Sequence, residues 1–198
     1  MNVYLVRHWQ TYENAAGVLQ WHFDGKLNSI WIAQANHAAQ SLSAIQLDSI
    51  YTSDLSRAYD TAIAIHTKQL LLPRLTSTSL LRERDLWPLT GKHKDSINNN
   101  YWIDSKTKLR AFFDNTVPWV ENHQQIWVRA KEFIDTYLIW SSDDTVLVVS
   151  HNGLLKAIYW QMFPSLDQTT IQFDNAAISL VVREWEVWEE SWRNMNIL

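Results

Sequence analysis

Residues 3–14 read VYLVRHWQTYEN, and the way this stretch is read decides the fold. Val3 to Val6 is an unbroken apolar run, without the alternation of a half-exposed strand. It therefore predicts a short strand buried on both faces, the usual state in a parallel sheet. The run breaks at once into Arg7-His8. In an open α/β sheet, ligands gather at the carboxyl ends of the strands. An arginine and a histidine placed there are positioned to meet an anion.

Thr145 to Ser150 (TVLVVS) repeats the design, delivering His151-Asn152-Gly153 ahead of a helix predicted from Leu154 to about Met162. Leu47 to Thr52 reads as another strand. A helix from Leu55 to about Gln69 follows it, capped by Ser53 or Asp54, with Arg57 in its first turn. Leu75 to Leu81 could be a further strand, ending in Arg82-Glu83-Arg84-Asp85. Gln10 to Leu27 reads as a polar loop. Asn28 can cap a helix to about Ile45, with Trp31, Ala35, Ala38, Leu42 and Ile45 on one face. From Trp87 to Thr116 the pattern is weak. Gly91 and Asn98-Asn99-Asn100 mark loop there, with short helices expected near 106–114. Pro118 suits the start of a helix reaching about Ile139. Ala177 to Trp185 has strand character, and the last dozen residues are expected to form its hairpin partner at a sheet edge. Strands alternating with helices predict an α/β chain whose mostly parallel sheet is covered on both faces.

The totals narrow the function. A length of 198 residues is most economically one domain, 1–198. A formal charge of −4 gives no electrostatic reason to expect nucleic acid or an anionic membrane as partner. Cysteine is absent, which excludes disulfides, thiolate nucleophiles and cysteine metal sites. The chain enters strand pattern directly, with no signal-peptide pattern and no apolar run near the roughly 18 residues of a membrane span. A cytoplasmic location is expected. One feature of composition is unusual: 12 tryptophans against 4 glycines, where glycine commonly makes up about 7% of a chain.

If the sheet assembles as predicted, His8, His151, Arg7, Arg57 and Glu83 converge at one edge. Phosphoryl transfer through a phosphohistidine needs such a set. A neutral histidine serves as nucleophile, and arginine forks hold phosphate oxygens. The second histidine, if protonated, stabilises charge spreading over those oxygens. A carboxylic acid protonates the leaving alkoxide and then activates water. Neither a metal nor another cofactor is called for, and no metal-ligand spacing such as H-E-x-x-H occurs. His22, His37, His66, His93 and His123 lack such placement and read as structural or exposed. Lys92-His93-Lys94 reads as a solvated loop.

Four blocks in order, LVRHWQTYEN, YTSDLSRAYDTA, LRERDLWPLTG and VVSHNGLLKAI, resemble the signature of the histidine phosphatase superfamily, also called the phosphoglycerate mutase family. The resemblance runs from residue 3 to about 181. It implies a three-layer α/β/α sandwich, here with an antiparallel edge strand, and a phosphate pocket at the carboxyl edge of the sheet. By position it makes His8 the nucleophile, Glu83 the proton donor, and Arg7, Arg57 and His151 the phosphate pocket. Asn14 resembles a polar pocket residue. Thr11, Gln20 and the backbone N–H of Asn152 are further contacts it suggests. The resemblance implies a metal-independent phosphomonoester hydrolase acting on a small-molecule phosphate ester, with homodimer formation left open. The short segment between Glu83 and His151 favours a phosphatase over a phosphoglycerate-type mutase, and that segment is expected to supply a substrate lid. Trp9, Trp21, Trp31 and Trp87 stand where the resemblance implies glycine. An indole at Trp9 could wall the pocket, serve as a platform for an aromatic substrate, or block the site. With Trp87, it motivates the alternative of a phosphate-ester-binding protein with impaired catalysis.

Overall fold

A computed structural model describes residues 1–28, 39–101, 108, 119–167 and 170–195. Six strands form one sheet: β1 (Asn2–Arg7), β2 (Ser49–Ser53), β3 (Arg74–Thr78), β4 (Thr145–Ser150), β5 (Ile178–Glu184) and β6 (Val187–Met195). Their order is β3-β2-β4-β1-β5-β6. The first four run parallel, while β5 and β6 add an antiparallel hairpin at one edge. That hairpin is the edge pair expected from Ala177 to Trp185 and the residues that follow.

The unbroken apolar runs at the centre have the predicted cause. Val3, Leu5, Val146 and Val148 face a core cluster shared with Phe133, Leu154 and Ile158. Tyr4, Val6, Leu147 and Val149 face the opposite cluster, shared with Leu42, Ala58, Ala62 and Ile65. Successive side chains on a strand point to opposite faces, so both parities must be apolar when helices cover both faces. The covering helices are α2 (Ser56–His66) on one side, with α4 (His123–Tyr137) and α5 (Asn152–Met162) on the other. Two shorter helices lie outside these layers, α1 (Tyr12–Ala15) and α3 (Lys94–Tyr101).

Several boundaries depart from expectation, each for a local reason. The loop after β1 contains α1, closed by a capping box in which Thr11 and Asn14 exchange side-chain and backbone bonds. Helix α2 is capped by neither Ser53 nor Asp54. Its N-cap is Leu55, whose N–H donates to Ser53 Oγ at 3.2 Å. Asp54 instead accepts a two-pronged ion pair from Arg82 at 2.8 and 2.6 Å. Strand β3 stops at Thr78, whose hydroxyl accepts from the N–H of Leu80 and starts a 3₁₀ turn over Ser79–Leu81. The Asn98-Asn99-Asn100 run is helical in α3, not loop, although asparagine is a poor helix former. Burial of Ile97 against Leu86, Leu89 and Val120 supplies the tertiary contact that outweighs propensity. Helix α4 begins after Asn122, which forms a capping box with Gln125, both bonds 2.9 Å.

Residues 39–43 are helical, with Ala39 and Leu42 buried. The rest of the helix expected from Asn28, Trp31 included, lies outside the described residues. So do Pro118 and, apart from residue 108, the short helices expected near 106–114. No helix among the described residues is long and apolar enough to cross a membrane.

Candidate active site

Strands β1 and β4 are parallel neighbours with Arg7 opposite Ser150. The next residue of each chain segment is a histidine, so His8 and His151 meet at the carboxyl edge, ring centroids 5.0 Å apart. Both are buried. The N–H of His8 still donates to Ser150 O at 2.9 Å, which extends the ladder by one step and fixes the pair.

The His8 ring is held in one tautomer. Its Nδ1 lies 2.7 Å from the carbonyl oxygen of Trp9. A carbonyl can only accept, so Nδ1 carries the proton and Nε2 keeps its lone pair. Burial, followed by the charges of Arg57 and Arg7, pushes the His8 pKa well below its ordinary value. A neutral imidazole with Nε2 free is the nucleophilic form. Burial, then Arg57, His8 and Arg7, push His151 down in the same way. The protonated His151 considered from sequence is thus disfavoured in the unliganded pocket, and an incoming anion would have to restore it.

Two arginines flank the histidines. Arg57, in the first turn of α2, is 1% exposed and donates to the carbonyls of Phe23 and Trp21 at 2.9 and 2.7 Å. The loop after β1 therefore wraps its carbonyls around a side chain delivered by β2 and α2. Burial lowers the Arg57 pKa to about 10, with Glu83 and Asp24 opposing that shift and Arg7 adding to it. Arg7 donates to Phe173 O at 2.8 Å. Burial lowers its pKa too, against the pull of Glu83 and Asp174.

Glu83 is fixed by the start of α5. Its Oε1 accepts from the N–H groups of Arg84 at 2.8 Å and Gly153 at 3.0 Å. A Cβ at position 153 would collide with Glu83 Oε1, so the contact requires glycine there. The segment holding Glu83 is clamped from behind by Arg129 of α4. Arg129 pairs with both oxygens of Glu121 at 2.8 and 2.7 Å and donates to the carbonyls of Leu80 and Arg82 at 2.9 and 2.8 Å.

Around the two histidines several buried polar atoms lack a hydrogen-bond partner among the described residues: Arg7 Nε, Arg57 Nε and both ring nitrogens of His151. Leaving such atoms unpaired costs roughly 1–3 kcal/mol each. A cluster of them beside a free imidazole nitrogen fits a tetrahedral oxyanion, whose oxygens would pair them.

The structure brings together His8, His151, Arg7, Arg57 and Glu83, as the sequence led us to expect. Asn14 joins them indirectly, because its Oδ1 accepts from Asn175, which also donates to the carbonyl of His8. Thr11 is fully buried as the cap of α1. Gln20 is buried, with Oε1 unpartnered among the described residues. Asn152 opens α5, and its side chain accepts from the N–H of Phe173 at 3.2 Å. Trp9 takes none of the roles considered for it. It is fully buried in the core between the sheet and α2, beside Val6, Ala58 and Ala62.

Sequence reasoning missed three residues. Asn175 precedes β5 and reaches His8 only because β5 pairs with β1. His22, expected to be structural or exposed, stands within hydrogen-bond reach of Glu83 O at 3.0 Å. Arg129 gave no signal beyond helical spacing. A cavity of about 510 Å³, lined by Trp21, Asp85, Trp87 and Trp119, opens near this edge, two residues beyond Glu83.

The two depressed histidines make a prediction about stability. The unfolded chain takes a proton on each histidine below about pH 6.5, while the folded chain does not. The unfolded state therefore binds more protons, and stability must fall as pH drops below that point. Urea denaturation should give a near-constant free energy above about pH 7. Below about pH 6.5 it should lose up to about 1.4 kcal/mol per pH unit for each histidine. Equal stability at pH 5.5 and 7.5 would contradict the burial of neutral rings.

Several known proteins resemble this chain. The family model described as histidine phosphatase superfamily (branch 1) matches residues 3–196. A metal-independent phosphoserine phosphatase of Arabidopsis thaliana is 29% identical, over 99% of this chain and 82% of that protein. Phosphoglycerate mutase-like protein 4 of the same plant is 30% identical, over 82% of this chain and 71% of its own. The crystal structure of the alpha-ribazole phosphatase from Shigella flexneri superposes with a TM-score of 0.83 at 19% identity, covering 98% of this chain and 96% of that one.

Proposed function

The chain belongs to the histidine phosphatase superfamily, and from that premise we propose that it hydrolyses small phosphomonoesters, without a metal, through a phosphohistidine on His8. The observation that carries the proposal is the tautomer of His8: Nδ1 is tied to the Trp9 carbonyl, leaving Nε2 as the nucleophile beside two arginines.

In the proposed cycle Nε2 of His8 attacks phosphorus in line with the leaving oxygen. Arg7, Arg57 and His151 take the phosphoryl oxygens. Glu83 gives its proton to the leaving alkoxide, so the alcohol departs and Glu83 is left as carboxylate. That carboxylate then removes a proton from water, which attacks the phosphoryl group. Inorganic phosphate, neutral His8 and protonated Glu83 result, and the protons balance. Clamping of the Glu83 segment by Arg129 serves both half-reactions, because one carboxyl group must reach first an ester oxygen and then a water.

Two alternatives fare less well. Impaired catalysis would rest on the indoles of Trp9 and Trp87, but Trp9 lies in the core, and Trp87 is largely exposed on the lining of the cavity that also holds Asp85. A mutase would return the phosphoryl group to a second hydroxyl of the same substrate. The short span between Glu83 and His151 supports hydrolysis instead. Turnover of p-nitrophenyl phosphate and phosphoserine tests the proposal, and the rate should be unchanged by excess EDTA. Loss of activity on chelation, or isomerisation of phosphoglycerate without phosphate release, would overturn it.

A further inference from the structure

Among the described residues, a left-handed backbone (positive φ) occurs at Gly17, Gly91, Ala176 and three tryptophans: Trp21 (φ 51), Trp119 (φ 71) and Trp185 (φ 56). No asparagine or aspartate among them does this, although those are the non-glycine residues that tolerate it best. Tryptophan is a bulky residue for which such a conformation is strained. Three such cases in one chain call for a common cause.

Each of these turns has a job that only the backbone performs. The turn at Trp21 presents the carbonyls of residues 21 and 23 to Arg57. The turn at Trp119 leads into Glu121, whose N–H donates to Asp85 O at 2.8 Å. Trp185 is the first residue of the two-residue loop, Trp185-Glu186, joining β5 to β6. Tight hairpin loops require positive φ at that position and favour glycine there. The exposed indoles at 119 and 185 contribute little in return, while Trp21 packs partly buried against the cluster of Leu86, Leu89, Ile97 and Val120. Trp119 is 81% exposed and Trp185 is 94% exposed. Trp21 stacks on His22, but its Nε1 is buried without a partner among the described residues. Composition points the same way, with 12 tryptophans and 4 glycines in 198 residues.

We propose that glycine occupies positions 21, 119 and 185 in the protein as its native cell makes it, because the codon behind these tryptophans is decoded there as glycine. The consequence reaches the site. Trp21 and Trp119 form two of the three indole walls of the cavity beyond Glu83. With glycine at both, that cavity is wider and bounded by backbone, Asp85 and Trp87, which leaves a single indole there to stack on a substrate.

The gene and the native protein test this directly. The triplets at 21, 119 and 185 should be one and the same and should differ from UGG. Peptide mass spectrometry of the protein isolated from its own cells should read glycine at all three positions. UGG at these positions, or tryptophan in the native peptides, overturns the proposal. A recombinant chain adds a physical readout. The double variant Trp119→Gly, Trp185→Gly, at the two exposed indoles, should melt about 2–4 °C higher for each site relieved of strain. An unchanged or lower Tm would show that the backbone does not ask for glycine.

Discussion

His8→Ala is expected to lose at least about 10⁴-fold in kcat toward any phosphomonoester, since deletion of a covalent nucleophile leaves only binding and charge stabilisation. The loss should sit in kcat rather than KM, because Arg7 and Arg57 remain to hold the phosphate. The fold should survive. The His8 ring makes one side-chain hydrogen bond, to the carbonyl of the next residue, and the ladder bond to Ser150 comes from backbone. Removing a buried ring held neutral against its solution preference also lifts a penalty that grows at low pH. Steady-state kinetics and urea denaturation on the same preparation check both halves. A variant with a tenth of the parent activity would mean that another group takes the phosphoryl.

Glu83→Gln should lower kcat by about 10²–10⁴, the span expected for loss of a positioned general acid and base. The size should depend on the leaving group. An alkyl alcohol needs its oxygen protonated as the P–O bond breaks, whereas p-nitrophenolate departs without help. Phosphoserine hydrolysis should therefore fall much further than p-nitrophenyl phosphate hydrolysis, unless dephosphorylation limits both. Glutamine keeps an oxygen for the N–H groups of Arg84 and Gly153, so the geometry around α5 should hold. Equal losses on both substrates in the phosphorylation step would contradict the role given to Glu83.

Much of this site was legible in the chain because it sits where regular structure ends. Val3–Val6 and Thr145–Ser150 announce their double burial through unbroken apolar runs, and parallel pairing then carries Arg7, His8 and His151 to one edge. Arg57 and Glu83 followed from the same logic on β2 and β3. What stayed hidden depends on partners distant in sequence. Asn175 is one hydrogen bond from His8 only because β5 lies antiparallel beside β1. Arg129 looks like an exposed position on an amphipathic helix until Glu121 and the turn after β3 fold against it. Helix α3 forms through the burial of Ile97, which no propensity in an asparagine run would suggest. Some signals were present but outweighed. Asn122 and Gln125 have capping-box spacing, yet Pro118 drew the predicted start of α4 upstream. Trp9 shows the limit from the other side. Its position beside His8 suggested a pocket wall, but a residue after a strand end can turn either way, and its indole turned into the core.

The most direct test is to trap the intermediate. The protein should be mixed with a radiolabelled phosphomonoester, quenched in alkali within the first turnover, and digested for peptide mapping. The account predicts an acid-labile, alkali-stable phosphoryl group on the peptide containing His8, absent in His8→Ala. Label on another residue, or steady turnover with no labelled protein at any quench time, would contradict it.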